Sequence, residues 1–355
     1  VKILFVIALI LSLPACAFAK TGVGNEGATA IAAASASVQR AYADLKSAAG
    51  GIGDRRLAEA TRNGLAPETC IAHRVDLTDK DKQAIVTALI AQGFLKREEN
   101  LTDGVFPPVV ADESPCPHLP QPIFAAPGGN EGSHHDWPGG LVQHEAFNLR
   151  NAHDLAEAYH DQSGLTLDRD TLTAAVIWHD WAKSLVFQWR NDGTEMQEIS
   201  IAGTGAHHIL GLAETMRRGL PPSLVQVQAC AHAAPEDADR VKVDNWLRAA
   251  AIIARVDAGT YLPAKGVWPE ECHIHTLSDQ NWMVAEPAAV IANESLAAVA
   301  GAFGFDPTDV KTYNWRFRMI ALSTLGADRI AEAWRQAGDR GVVALLEPLK
   351  ARGLF

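Results

Sequence analysis

Apolar residues recur at three- and four-residue intervals through most of the chain, and clean alternation is scarce, so the pattern predicts an all-α fold. The alanine-rich stretch 27–51 reads as helical and is broken by Gly50-Gly51-Ile52-Gly53. Thr78 caps a further helix with Asp79 and Asp81 in its first turn; Ile85, Leu89 and Ile90 face inward and the helix ends near Gly93. Periodicity then stops. Prolines stand at 107, 108, 115, 117, 120, 122 and 127, followed by Gly128-Gly129, a density that no ordinary helix or central strand tolerates. The segment 104–133 is therefore expected to be an extended connector over the surface, dividing a helical region at 20–103 from a main domain at 134–262.

The main domain shows five apolar stripes. The first helix spans 141–160, with Leu141, His144, Asn148, Ala152, Leu155 and Tyr159 on one face. A second starts near Asp170 and runs into Trp178-His179-Asp180-Trp181-Ala182-Lys183. A third begins at Gly205-Ala206-His207-His208 and is stopped by Pro221-Pro222. A fourth covers 224–233 and carries His232; a fifth covers 245–262, with Asp257 on the stripe of Leu247, Ala250, Ile253 and Tyr261. Helices at 287–303, 309–325, 327–337 and 342–349, within a C-terminal part at 263–355, are expected to pack on this core. Cys272-His273-Ile274-His275 reads as a solvated loop.

The stripes carry unexpected polar groups. Each of the five segments turns one toward the core: His144, His179 with Asp180, His207 or His208, His232, and Asp257. Nine of the thirteen histidines fall between 134 and 232. Burying imidazoles and carboxylates singly is costly. One or two shared divalent ions (iron, manganese or zinc) remove that cost, because neutral imidazole and carboxylate are good ligands for them.

Composition narrows the field. The chain has 355 residues, 48% of them apolar, and a formal charge of −11, which argues against nucleic-acid binding through a basic surface; no nucleic-acid groove is expected. Residues 1–19 combine Lys2, the apolar run 3–13 and Ala17-Phe18-Ala19, the order of a cleaved secretory leader and too short for a stable membrane span. A lipoprotein box ending at Cys16 is the alternative. Either reading exports the protein, to a periplasm or beyond. Four cysteines remain, and they can pair in three ways. Cys70 with Cys116 and Cys230 with Cys272 is one reading, four buried free thiols another. No CxxC pair supports a cysteine zinc knuckle.

The order H…HD…H…H…D, with HDWAK close to HDxGK, resembles the HD-domain metal-dependent phosphohydrolase superfamily. His134-His135-Asp136-Trp137-Pro138-Gly139-Gly140-Leu141-Val142-Gln143-His144 is similar to the HHxxxGGLxxH opening of some of its nucleases. The resemblance covers about 134–262. It implies a helical bundle in which His144, His179, Asp180 and Asp257 hold a first metal, and His207 and His232 a second with Asp180 bridging. His207 is preferred to His208 because Gly211 follows it by four, as in the family's HxxxG. Ala182 replaces the family glycine. The signatures of the cyclic-dinucleotide and alarmone branches are missing.

The expected function is metal-dependent hydrolysis of a small phosphate ester, of nucleotide type among the options. Lys183 would hold the phosphate as a point charge or form a surface ion pair. His134 or His135 would steer substrate or donate a proton, and Asn148 would support the pocket. Trp178 and Trp181 would shape the pocket, with Trp181 on substrate, or fill the core. Two rivals are a di-iron oxygenase of the same superfamily and a metal- or ligand-binding protein without turnover.

Overall fold

Most of the helices expected from the apolar spacing form, although the one expected at 245–262 spans Asp237–Ala254 and the one expected at 309–325 is divided. The computed structural model describes residues 22–98, 100–110 and 114–355; the expected leader and Cys16 lie outside the described residues. Three helices open the described chain: α1 (Asn25–Ala34), α2 (Ala36–Gly51) and α3 (Arg55–Leu65). Next come α4 (Asp79–Ala91), with the expected Thr78 cap closed by Asp81 as a capping box, and α5 (Leu101–Val105). The middle of the chain holds α6 (Gly140–Ser163), α7 (Arg169–Trp178), α8 (Lys183–Val186), α9 (Ala206–Arg217), α10 (Pro222–Ala229) and α11 (Asp237–Ala254). It ends with α12 (Glu271–Asp279), α13 (Trp282–Val299), α14 (Val310–Tyr313), α15 (Met319–Leu325), α16 (Ala327–Ala337) and α17 (Asp339–Ala351). The strands among the described residues are two short antiparallel segments, β1 (Ser200–Ile201) and β2 (Thr204–Gly205). The fold is all-α.

One apolar cluster runs from Ala32 to Ile274 and joins the N-terminal helices to α6–α12. A second is built by the C-terminal helices around Leu296, Phe317, Leu322 and Leu346, and it takes in Trp137. The 104–133 segment departs from its expected course over the surface. Its described residues hold α5's end, one short turn and isolated bridges of His118 to Val110 and Cys70, and Leu119, Ile123, Ala125 and Ala126 are buried in the first cluster. Its prolines forbid a helix, but its apolar side chains still enter the core. The disulfides join Cys70 to Cys116 and Cys230 to Cys272. Trp178 and Trp181 are fully buried; their indoles donate to Thr61 Oγ1 at 3.3 Å and to the Gly64 carbonyl at 2.9 Å on α3.

The N-terminal region is tied to α9 by a buried polar knot. Both Glu214 oxygens accept: Oε1 from the Ala72 amide (2.9 Å) and Arg218 Nε (2.7 Å), Oε2 from the His73 amide (3.1 Å) and His73 Nδ1 (2.7 Å). Burial opposes the Glu214 charge, but the His73 and Arg218 donors outweigh it and hold the carboxyl down to about 2. For His73 burial wins over the same carboxylate, so its pKa is lowered and a neutral imidazole donates to a carboxylate.

Both shifts make the folded chain bind protons less readily than the unfolded chain. Stability is therefore present in full above the unfolded values and drains as pH falls from about 6.5 toward 2. Glu214→Gln should destabilise the protein by about 3–5 kcal/mol at pH 7. It should also flatten the melting temperature between pH 5 and pH 3, read by calorimetry at each pH.

Candidate metal centre

The His-Asp pair sits where α7 stops rather than within a helix. His179 occupies the helix C-cap and the chain then turns tightly, with the Trp181 amide bonded to the Trp178 carbonyl (3.3 Å) and the Lys183 amide to that of Asp180 (2.8 Å). Buried Gln228 on α10 takes the Trp178 carbonyl at 3.1 Å. Gly211 on α9 lets that helix approach, because a Cβ there would meet Gln228 Nε2 and the His179 carbonyl at 3.3 Å each. That close approach gives a physical reason for a glycine four residues after His207.

Five side chains from four helices and one turn converge on Asp180. Its Oδ2 lies 3.3 Å from Nε2 of both His144 and His179, and 2.5 Å from Lys183 Nζ. Its Oδ1 lies 3.4 Å from His207 Nε2 and 3.7 Å from His232 Nε2. A second carboxylate, Asp279 at the end of α12, faces it. Asp279 Oδ1 is 3.1 Å from His144 Nε2 and 3.4 Å from His179 Nε2, and Oδ2 is 3.9 Å from His232 Nε2. His144, His179 and Asp180 form one group able to hold a metal ion, His179, His232 and Asp279 another, and Asp180, His207 and His232 a third.

These residues fit a cation. His179 Nε2, His207 Nε2 and both Asp180 oxygens are buried without a hydrogen bond, although His179 faces Oδ2 and His207 faces Oδ1. Their second nitrogens are committed elsewhere. His179 Nδ1 donates to the Val176 carbonyl at 2.8 Å with Glu145 3.2 Å away, and His207 Nδ1 is gripped by Glu198 at 2.7 Å. Each arrangement turns Nε2 inward and fixes its tautomer, the usual support for a metal-binding imidazole. Electrostatics point the same way. Burial opposes charge on His179, but Glu145, Asp180 and Asp279 outweigh it and hold its pKa well above the ordinary value; His144 is raised likewise by Asp180 and Asp279. Burial is also overcome at Asp180, by Lys183 and His179, and at Asp279, by His179 and His144; both carboxyls stay well below the usual range. At His232 burial wins over the same carboxylates and its pKa is lowered, so the pull of the two aspartates is strongest at His144 and His179.

The opening loop is set by its glycines. Gly139 has φ +86, and a Cβ on Gly140 would fall 1.9 Å from the His135 carbonyl oxygen, so no other residue lets the loop close on itself. Asp136 pins the loop from the far end of the chain: Oδ2 accepts from Arg318 Nη2 at 2.6 Å and from the Gly132 amide at 2.7 Å.

Several expected site residues lie elsewhere. Asp257 is the main correction: α11 ends at Arg255 in the left-handed region (φ 59), so the apolar stripe breaks, and exposed Asp257 caps the Gly259 amide instead. Asp279 stands in its place. It ends the helix α12, whose first turns hold the Cys272–His275 stretch expected to be a solvated loop; His275 is fully buried, with Nδ1 on the Val227 carbonyl at 2.8 Å and its ring edge-on to His179. Cys272, His275 and Asp279 are spaced by three and four, the signal that identifies that helix face. His208 is buried but turns away to stack on His232 and meet Trp246 edge-on. Trp181 fills the core with Trp178 and does not reach the cavity. Lys183 is buried, ion-paired with Asp180 and bonded, at 2.5 Å, to the Gly128 carbonyl, so it is no surface lysine. Asn148 sits between His144 Nε2 (3.0 Å) and Asp279 Oδ1 (2.8 Å), an orienting group behind the cluster. His135 is buried with Nδ1 3.1 Å from His134 Nδ1, and His134 is the one of the two that lines the cavity over the cluster. Glu145 and Glu198 went unrecognised in the sequence; Glu145 adjoins His144, but Glu198 gives no signal by spacing.

Among curated proteins, this chain is similar to the dihydroneopterin 2',3'-cyclic phosphate phosphodiesterase of Methanocaldococcus jannaschii, at 26% identity over 103 residues. The match takes in 28% of this chain and 39% of that relative. No family model matches the chain. No solved structure matches it either.

The two aspartates can be told apart by metal analysis. Asp279→Asn should weaken manganese binding by about 100-fold or more, since it removes a carboxylate shared by three imidazoles, whereas Asp257→Asn should bind like the native protein. Equilibrium dialysis with elemental analysis reads both.

Proposed function

We propose that this chain is a metal-dependent hydrolase of small phosphate esters, built as an HD-type phosphohydrolase. The observation that carries the reading is Asp180, whose two oxygens each face a separate set of imidazole nitrogens. The likeness to a phosphodiesterase supports the choice of a phosphate ester.

His144, His179, Asp180 and Asp279 would hold one divalent ion, and Asp180, His207 and His232 a second. When bound, such ions polarise phosphoryl oxygens and lower the pKa of water toward neutrality. The chain's own groups do the rest. The cavity over the cluster has a volume of about 290 Å³ and is walled by Asn130, Ser133, His134, Lys183, Gln280 and Trp282, which suits a small polar substrate. Burial opposes the Lys183 charge, but Asp180 and Asp279 raise its pKa, so the wall carries a fixed ammonium for a phosphoryl oxygen. Burial and the neighbouring His144 push His134 down to about 3, so it would orient substrate by hydrogen bonding rather than by charge. The two disulfides support a place of work in an oxidising compartment such as the periplasm.

Protein loaded with manganese or iron should hydrolyse members of a panel of phosphomonoesters, phosphodiesters and 2',3'-cyclic phosphates. His179→Ala should lower kcat/KM by about 100-fold or more. A metal-replete enzyme inert on the whole panel overturns the proposal; oxygen uptake by the iron-loaded protein with diol substrates would move it to the oxygenases.

A further inference from the structure

The ligand-bearing elements are not equally well anchored. His144, His179 and His207 stand on or at the end of helices of 24, 10 and 12 residues whose faces are largely buried. His232 lies beyond the end of α10, in a turn without helical hydrogen bonds of its own. Asp279 is the last residue of α12, a helix of nine residues. Neither α7 nor α12 is long enough to hold itself in water, but α7 is buried along Thr171 to Trp178 whereas α12 relies on one docked face, that of Cys272, His275 and Asp279. Its flanks are exposed: Val267 before it is 73% accessible, and Trp282, Met283 and Val284 after it are 42%, 59% and 73% accessible.

These two weakly anchored elements are the ones joined covalently. Cys230 caps α10 two residues before His232, and its partner Cys272 lies in the first turn of α12, on the face that carries His275 and Asp279. Two hydrogen bonds follow the same seam, Thr276 Oγ1 to the Cys230 carbonyl (2.5 Å) and His275 Nδ1 to the Val227 carbonyl (2.8 Å). The other disulfide, Cys70 to Cys116, joins no element that carries a ligand.

We infer that the Cys230–Cys272 disulfide is a positioning brace for the metal centre, holding His232 and Asp279 at the spacing that a divalent ion requires. The inference rests on the metal-centre reading above. A dithiol or phosphine reductant acts on it by a two-electron step: the S–S bond breaks, both sulfurs leave as thiols, and the reductant becomes its disulfide or phosphine oxide, with water supplying the oxygen in the latter case. The buried seam keeps α12 docked afterwards, but Asp279, seven residues from the break, loses its covalent reference to the His232 turn. Loss of such orienting support lowers metal affinity by roughly 10- to 100-fold.

The test compares Cys230→Ser/Cys272→Ser with Cys70→Ser/Cys116→Ser in the full chain. Manganese is titrated at 20 °C and followed by the electron paramagnetic resonance of the free ion, with circular dichroism recorded alongside. The brace predicts manganese binding weakened about 10- to 100-fold in the first variant and within about twofold of native in the second, both with native helix content. Should the first variant fail to fold, titrating the Cys70→Ser/Cys116→Ser protein before and after phosphine treatment isolates the Cys230–Cys272 bond, since it is the disulfide left in that variant. Unchanged affinity in the first variant, or an equal loss in both, overturns the brace and leaves the metal centre standing. A native protein that takes up no manganese overturns the metal-centre reading and the brace with it.

Discussion

The structure depends on the burial of one carboxylate. Asp180 is fully enclosed, and an ionised carboxylate taken from water into a protein interior costs several kcal/mol unless its surroundings answer it. Here the answer comes from every side: Lys183 from the next turn, His144 from α6, His179 from its own turn, His207 from α9 and His232 from the turn after α10. Each of these elements is therefore fixed in angle and depth by what it must bring to the same point. The apolar core serves as the outer wall of this arrangement. Trp178 and Trp181 make that wall against α3 and so settle the role left open for them.

Around the first ring stands a second one of carboxylates and carbonyls. Glu145 and the Val176 carbonyl take the outward nitrogen of His179 and Glu198 that of His207, while Asn148 Nδ2 spans His144 Nε2 and Asp279 Oδ1. Glu145 is itself buried and its pKa is raised, by burial first, with His179 opposing. For His179 and His207 an inward-facing nitrogen is thus obtained by fastening the outward one; Val176 lies one helical turn before His179, whereas no simple spacing links Glu198 to His207 or Glu145 to His179.

Much of this was legible in the sequence, and the reasons differ by residue. His144, His179, His207 and His232 could be found because each sits on or just past an apolar stripe, where an imidazole is out of place. Asp257 misled because helical spacing was carried through Arg255, where the backbone turns left-handed and the stripe loses its meaning. Asp279 stayed hidden because Cys-His-Ile-His looks like a polar loop when read residue by residue, although Cys272, His275 and Asp279 share a helical face. The connector was misplaced for a related reason. Proline density reports what the backbone cannot do, and it says nothing about whether Ile123 or Ala125 will be buried. The bond between Glu214 and His73 joins residues 141 positions apart and leaves no local trace, although Arg218 stands at the helical spacing of four from Glu214.

Arg318 carries a consequence for the order of events in the life of the chain. It holds Asp136 and thereby the loop with His134 and His135, yet it is made 182 residues later. Asp279 likewise follows His144 by 135 positions. Ribosomes deliver a polypeptide from its amino end, so the early histidines emerge long before the groups that enclose them. The cluster able to hold a metal ion is then completed only as a closing act of biogenesis, and a chain stalled partway carries its early imidazoles without the carboxylate that encloses them.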